Sequence, residues 1–129
     1  MDKNDLVIGY CYFRNPAYHL FIVVSSPDES DQIAVVSITD AGRAPESLIE
    51  FRPGRGMHRF VTKPSTPYYK GAGLVCRSVL VEKINSGEYT PHSQPIVPNW
   101  IVQSIRQHLP DSEHITGNML DWWKKNVSS

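Results

Sequence analysis

The sequence lacks net charge: thirteen Lys and Arg residues balance thirteen Asp and Glu. No global field draws such a chain to nucleic acid or to anionic lipid, so any attraction of that kind has to be local. Long apolar runs are missing as well. No stretch approaches the roughly 20 apolar residues of a membrane span, and Met1-Asp2-Lys3-Asn4-Asp5 carries no apolar core of signal-peptide length, so neither membrane insertion nor export is expected. Cysteine is scarce. Cys11 and Cys76 stand far apart without metal-ligand companions, which favours reduced thiols inside apolar strands over a disulfide, a zinc site or a catalytic nucleophile. The cytoplasm is the expected compartment. There is no HExxH, CxxC, Walker loop or GxGxxG, and Gly54-Arg55-Gly56 is too short for a phosphate cradle, so no metal and no cofactor are expected.

What is present is a globular balance of 40% hydrophobic and 20% charged residues in 129, enough for one core and short for two. Residues 1–129 are therefore read as a single domain. Leu6 to Phe13 predicts a first strand, closed by Asn15-Pro16. Tyr18 to Ser25 is almost continuously apolar, the pattern of a strand covered on both faces or central to a barrel, and Gln32 to Thr39 returns as its hairpin partner. Short strands are predicted at Ser47 to Phe51 and His58 to Thr62, a loop at Ser65 to Gly71, and an interrupted strand over Ala72 to Ile84. Pro91, Pro95 and Pro98 argue against regular structure between them. Trp100, Ile101, Ile105 and Leu109 recur at helical spacing, which predicts a helix over 98–109, with a short final helix around Met119 to Trp123 that leaves Trp122 and Trp123 exposed. The fold class is mainly β (α+β): a small SH3-like antiparallel barrel with a C-terminal helix. Parallel architectures are disfavoured, because no crossover helix separates the early strands.

The neutral total conceals a local imbalance. Between positions 50 and 77, Arg52, Arg55, Arg59, Lys63, Lys70 and Arg77 face only Glu50, and Phe60, Ser65, Thr66, Tyr68 and Tyr69 are interleaved with them. That mixture suits phosphate contact plus base stacking on single-stranded RNA, although a solvated loop face reads the same way. His19 opens the apolar strand and His58 follows the Pro53-Gly54 turn. If the two meet at one rim, an imidazole could take the proton of a ribose 2′-hydroxyl while Arg52 or Arg59 offsets the charge that builds on phosphorus-bound oxygens. Taken singly, each histidine is more often a hydrogen-bonded structural residue.

The passages LVIGYCYF, HLFIVVSS and IAVVSITD give this chain a strand order that resembles the MazF/PemK (Kid/CcdB-like) toxin family over about the first forty positions. Thr39 matches the family's functional threonine, whereas His19 stands where the family carries an arginine and the nearest arginine is Arg14. The resemblance implies a metal-independent endoribonuclease that cuts single-stranded RNA through 2′-hydroxyl attack, a homodimer, and an antitoxin that covers the RNA groove. On that reading His19, Thr39, Arg52 and His58 are catalytic, and Arg55, Arg59, Lys63, Ser65, Tyr68 and Tyr69 bind RNA. The competing class is a non-catalytic module that binds nucleic acid or a protein partner, which an exposed Trp122-Trp123 pair would favour.

Overall fold

Period-2 alternation along the central strands gives the sheet two apolar faces. The structure, a computed structural model, describes residues 1–15 and 19–127. These form an α+β protein of five strands, β1 (Tyr10–Arg14), β2 (Leu20–Val23), β3 (Gln32–Asp40), β4 (Ser65–Cys76) and β5 (Tyr89–Ile96), with helices α1 (Arg77–Asn85), α2 (Asn99–His108) and α3 (Gly117–Asn126). The strands lie in the order β4-β3-β2-β1-β5, and every neighbouring pair is antiparallel. The sheet is open, with β4 and β5 as its two edges. No helix among the described residues is long and apolar enough to cross a membrane.

Leu20, Ile22 and Val24 join Cys11, Ala34, Val36 and Ile38 on one face, where Ile101, Val102 and Ile105 of α2 and Met119 and Trp123 of α3 cover them. Val23, Ile33, Val35, Tyr10 and Tyr12 occupy the other face with Leu6 and with Leu80 of α1. Each fully buried aliphatic side chain contributes roughly 1.5–3 kcal/mol, so β2 and β3 anchor both clusters. Their near-continuous apolar character thus reflects cover on both faces.

Several elements depart from expectation for identifiable reasons. The first strand begins only at Tyr10, because residues 3–5 form a 3-10 turn capped by Asp2 and Gly9 takes a φ of 98°, a left-handed value that favours glycine. Ser65 to Gly71, expected as a loop, is the first half of β4: Tyr68, Pro67, Thr66 and Ser65 pair with Ser37, Ile38, Thr39 and Asp40. Pro67 is tolerated because β4 is an edge. The same holds for Pro91 and Pro95 in β5, the opposite edge. The strand expected over Ala72 to Ile84 stops at Cys76, and α1 follows, burying Leu80 and half-burying Val81 and Ile84. Ser47 to Phe51 contributes only a bridge from Phe51 to Ser65. His58 to Thr62 forms a turn, its Val61 N–H donating to the His58 carbonyl at 3.1 Å.

The helix predicted over 98–109 is α2, at Asn99–His108, although Trp100 is 53% exposed and Val102 takes its place in the core. The final helix forms as α3, and its tryptophans are not an exposed pair. Trp123 is 5% exposed, and Trp122 donates its indole N–H to Asp28 Oδ2 at 2.8 Å. Tyr18 and Pro16 lie outside the described residues.

Candidate functional site

Two clefts flank one end of the β2-β3 hairpin. The first, about 450 Å³, is lined by Phe13, Leu20 and Ile38 of the helix-covered face together with His19, Thr39, Asp40, Arg43, Arg59, Phe60, Thr62, Lys63, Ser65 and His92. The second, about 430 Å³, is lined by Arg14, Phe21, Ser37, Tyr68 and Gly71 and shares His19, Thr39 and Arg43 with the first. Phe21 packs on the α1 side of the sheet, so the clefts lie on opposite faces and meet at the rim on those three residues. Arg14, Arg43, Arg59 and Lys63 supply four cations, against the single carboxylate of Asp40.

That carboxylate is already engaged. The Gly42 N–H at 2.9 Å and the Lys63 ammonium at 3.1 Å hold it below the usual carboxylate range. Gly42 and Arg43 form the tight turn that ends β3, with the Arg43 N–H on the Asp40 carbonyl at 3.0 Å. Arg14 lies over the Phe21 ring, 4.0 Å from its centroid, where the ring face attracts the guanidinium. In the second cleft Gly71 makes room for Tyr68, since a Cβ there would meet that ring at 2.8 Å.

The structure distributes the expected site residues unevenly. His19 is exposed, and it lines both clefts with Thr39; Arg59, Lys63 and Ser65 line the first and Tyr68 the second. His58 does not reach them. It is 1% exposed, its Nδ1 accepts the Phe60 N–H at 3.1 Å and its Nε2–H donates to the Gln94 carbonyl at 2.8 Å, so both ring nitrogens are occupied below the cleft. Burial lowers its pKa, which keeps the ring neutral. Arg52 pairs with Glu50 at 2.8 Å and lines neither cleft, and Arg55 is exposed on a turn outside both. Tyr69 cannot stack on a base: it is 2% exposed and its hydroxyl donates to the Ile105 carbonyl at 2.7 Å.

Three residues that the sequence did not bring together are gathered at His58. The ligand-capable atoms of Cys11, His58 and His92 all lie within 4.8 Å of one another. The Gln94 carbonyl is the hub, taking the His58 Nε2–H at 2.8 Å and the Cys11 S–H at 3.4 Å, while the Gln94 N–H donates to His92 Nδ1 at 2.8 Å. Gln94 Oε1 accepts the Arg59 N–H at 3.3 Å. Burial raises the Cys11 thiol pKa to about 12 and lowers that of His92. Cys76 differs from the buried thiol expected of it. It is half-buried at the β4-α1 junction, and hydrogen bonds with Ser78, whose Oγ is 3.1 Å away, hold its pKa below the usual range.

These three residues are far apart in the chain and follow no ligand motif, which is why spacing did not reveal them. The one available signal was the pair Pro91 and Pro95 around His92, which marks backbone unable to keep a regular ladder. No family model, curated protein or solved structure matches the chain.

Proposed function

We propose that the rim binds single-stranded RNA and cleaves it as a toxin-like, metal-independent endoribonuclease. The observation that carries this reading is the meeting of the two clefts at His19, Thr39 and Arg43, with Arg14, Arg59 and Lys63 around them. Phosphates running over the rim face cations on both sides of the sheet, and the Tyr68 ring in the second cleft suits stacking by a splayed base. His19 takes the 2′-hydroxyl proton, Arg43 offsets the charge that develops on the phosphorus-bound oxygens, and the departing 5′-oxygen takes a proton from solvent at the open rim. Arg14, which lines the second cleft beside His19, serves as the cation that the toxin-family resemblance expects near this position.

The same reading takes the sheet as an SH3-like barrel left open between β4 and β5. A homodimer, a neutralising antitoxin and a cytoplasmic site of action accompany the resemblance. The withdrawal of His58 into the interior favours a second reading, RNA binding without cleavage. Purified protein incubated with a labelled single-stranded RNA in EDTA separates the two, alongside His19→Ala and Arg43→Ala. Cleavage that survives chelation and disappears in both variants supports the enzyme; retention of the RNA intact by every variant supports the binding module. Failure to bind RNA at low salt removes both.

A further inference from the structure

We propose that Cys11, His58 and His92 form a binding site for one divalent ion of the zinc class. One thiolate and two imidazoles are a donor set that such ions prefer over harder cations. The three residues come from β1, the 52–64 loop and β5, and their ligand atoms already lie within 4.8 Å of one another. A tetrahedral zinc site, with bonds of about 2.3 Å to sulfur and about 2.0 Å to nitrogen, brings such atoms to roughly 3.5 Å.

The backbone carries an independent feature at this point. Tyr10 pairs with Ile96 and Tyr12 with Pro91, so Cys11 alone on β1 faces residues 92–95 of β5. Bulges of this kind re-aim side chains, and this one turns both His92 and the Gln94 carbonyl toward the thiol. The Gln94 oxygen lies 2.8 Å from His58 Nε2 and 3.4 Å from Cys11 Sγ, separations that match edges of a coordination polyhedron. It is placed to be the fourth ligand. Cys11 is held in the ladder opposite Ile22, while His58 in its turn and His92 in its bulge can close on the ion. His92 lines the first cleft, which gives the ion a way in.

The metal-free protein satisfies these groups with protons instead. Both Nδ1 atoms accept backbone N–H bonds, from Phe60 and Gln94, so both rings carry their proton on Nε2. Loading releases the Cys11 proton to solvent as the sulfur–metal bond forms. The His58 ring, whose Nε2 faces the Gln94 carbonyl, ligates through Nε2 and moves its proton to Nδ1, displacing the Phe60 N–H; His92 ligates through one ring nitrogen and keeps its proton on the other. The site is therefore a two-state latch between the loop and the sheet, independent of the RNA reading.

Full-length protein stripped with EDTA and titrated with ZnCl2 tests this, with ion stoichiometry read by native mass spectrometry. Binding of one Zn2+ per chain is expected, with histidine 15N–1H correlation spectra that move the His58 proton from Nε2 to Nδ1 and shift the His92 ring signals. Co2+ in place of Zn2+ gives a thiolate charge-transfer band. His92→Ala, at a half-buried position and with its fold checked by circular dichroism, weakens Zn2+ binding roughly 100-fold or more, beyond the cost of an outer-shell change. Cys11→Ser abolishes the Co2+ band. No stoichiometric ion, unchanged histidine tautomers, or equal affinity in the parent and His92→Ala would overturn the proposal.

Discussion

The two walls of the rim are built differently. Arg14, Thr39 and Tyr68 stand on β1, β3 and β4, where the ladder fixes their backbone: Thr39 pairs with Thr66 and Ser37 with Tyr68. Arg59, Phe60 and Lys63 stand in the 52–64 loop, which has no ladder. Its placement depends in part on two bonds to Gln94, from the His58 Nε2–H and the Arg59 N–H, with the His58 ring packed at a tilt against His92 and Phe60, its centroid 4.8 Å and 4.9 Å from theirs. A strand wall is held by many weak constraints and the loop wall by a few, the buried His58 and Val61 and the Lys63–Asp40 ion pair, so single substitutions should act on the two differently. On the strands they remove a contact and leave the frame. At His58 they remove the frame and with it the contacts.

The largest expected effect breaks the comparison directly. His58→Ala leaves a cavity at a 1% exposed site, orphans the Phe60 N–H and leaves the Gln94 carbonyl with only the weak Cys11 S–H donor. It should cost about 2–4 kcal/mol in urea denaturation, against about 1 kcal/mol or less for Thr39→Ala. His58→Ala should also reduce RNA affinity by displacing Arg59, although His58 lines neither cleft. Equal stability losses for the two variants would mean that the loop is held by something other than this histidine.

The cations sharpen the same contrast. Arg43→Ala, Arg59→Ala and Lys63→Ala should each lower the salt dependence of RNA binding by about 0.7 in the log–log slope, the value for one phosphate on a single strand. Arg52→Ala, whose guanidinium pairs with Glu50 outside the clefts, should leave that slope unchanged. An Arg52 effect as large as that of Arg43 would move the interface away from the rim.

How much of this was legible in the sequence follows the same division. β2, β3 and α2 could be read because their apolar residues repeat at the period of the element and face packed neighbours. β4 and β5 could not, because they are edges: Pro67, Pro91 and Pro95 signal a break in any central strand and are harmless where one row of N–H groups is unpaired. His19, Arg59, Lys63 and Tyr68 could be singled out by charge and residue type, and Thr39 only through the toxin-family resemblance. Arg43 could not, since it lies outside the basic segment and enters through the turn after β3. The exclusion of His58, Arg52 and Tyr69 depends on burial and partner choice, which have no local signature. The Cys11-His58-His92 cluster requires three elements to be folded before it exists.

A smaller test bears on the strand wall alone. Gly71→Ala adds a methyl group that meets the Tyr68 ring at 2.8 Å and forces the ring to swing, while the strand conformation itself accepts alanine. RNA affinity should fall roughly 5- to 150-fold, comparable with Tyr68→Ala, because a stacked base contributes about 1–3 kcal/mol. Thermal stability should change little. If Gly71→Ala weakens binding and Tyr68→Ala does not, the cleft matters for its shape rather than for its ring.

The smallest effect lies at the far end of the same hairpin, which serves as an internal control. In the β2-β3 turn the Asp28 carboxylate accepts the Gln32 N–H at 2.9 Å and the Trp122 indole N–H at 2.8 Å, and these bonds hold its pKa below the usual carboxylate value. A carboxyl whose folded pKa is depressed stabilises the fold above its unfolded pKa, and that contribution fades as the pH drops toward and through the folded value. Asp28→Asn should therefore flatten the acid limb of the stability curve below about pH 4, and Trp122→Phe should flatten it in part. Neither variant should alter RNA affinity at neutral pH, because both lie away from the rim. An effect of Trp122→Phe on binding would show that the hairpin transmits strain from one end to the other and that its ladder is softer than the strand wall requires.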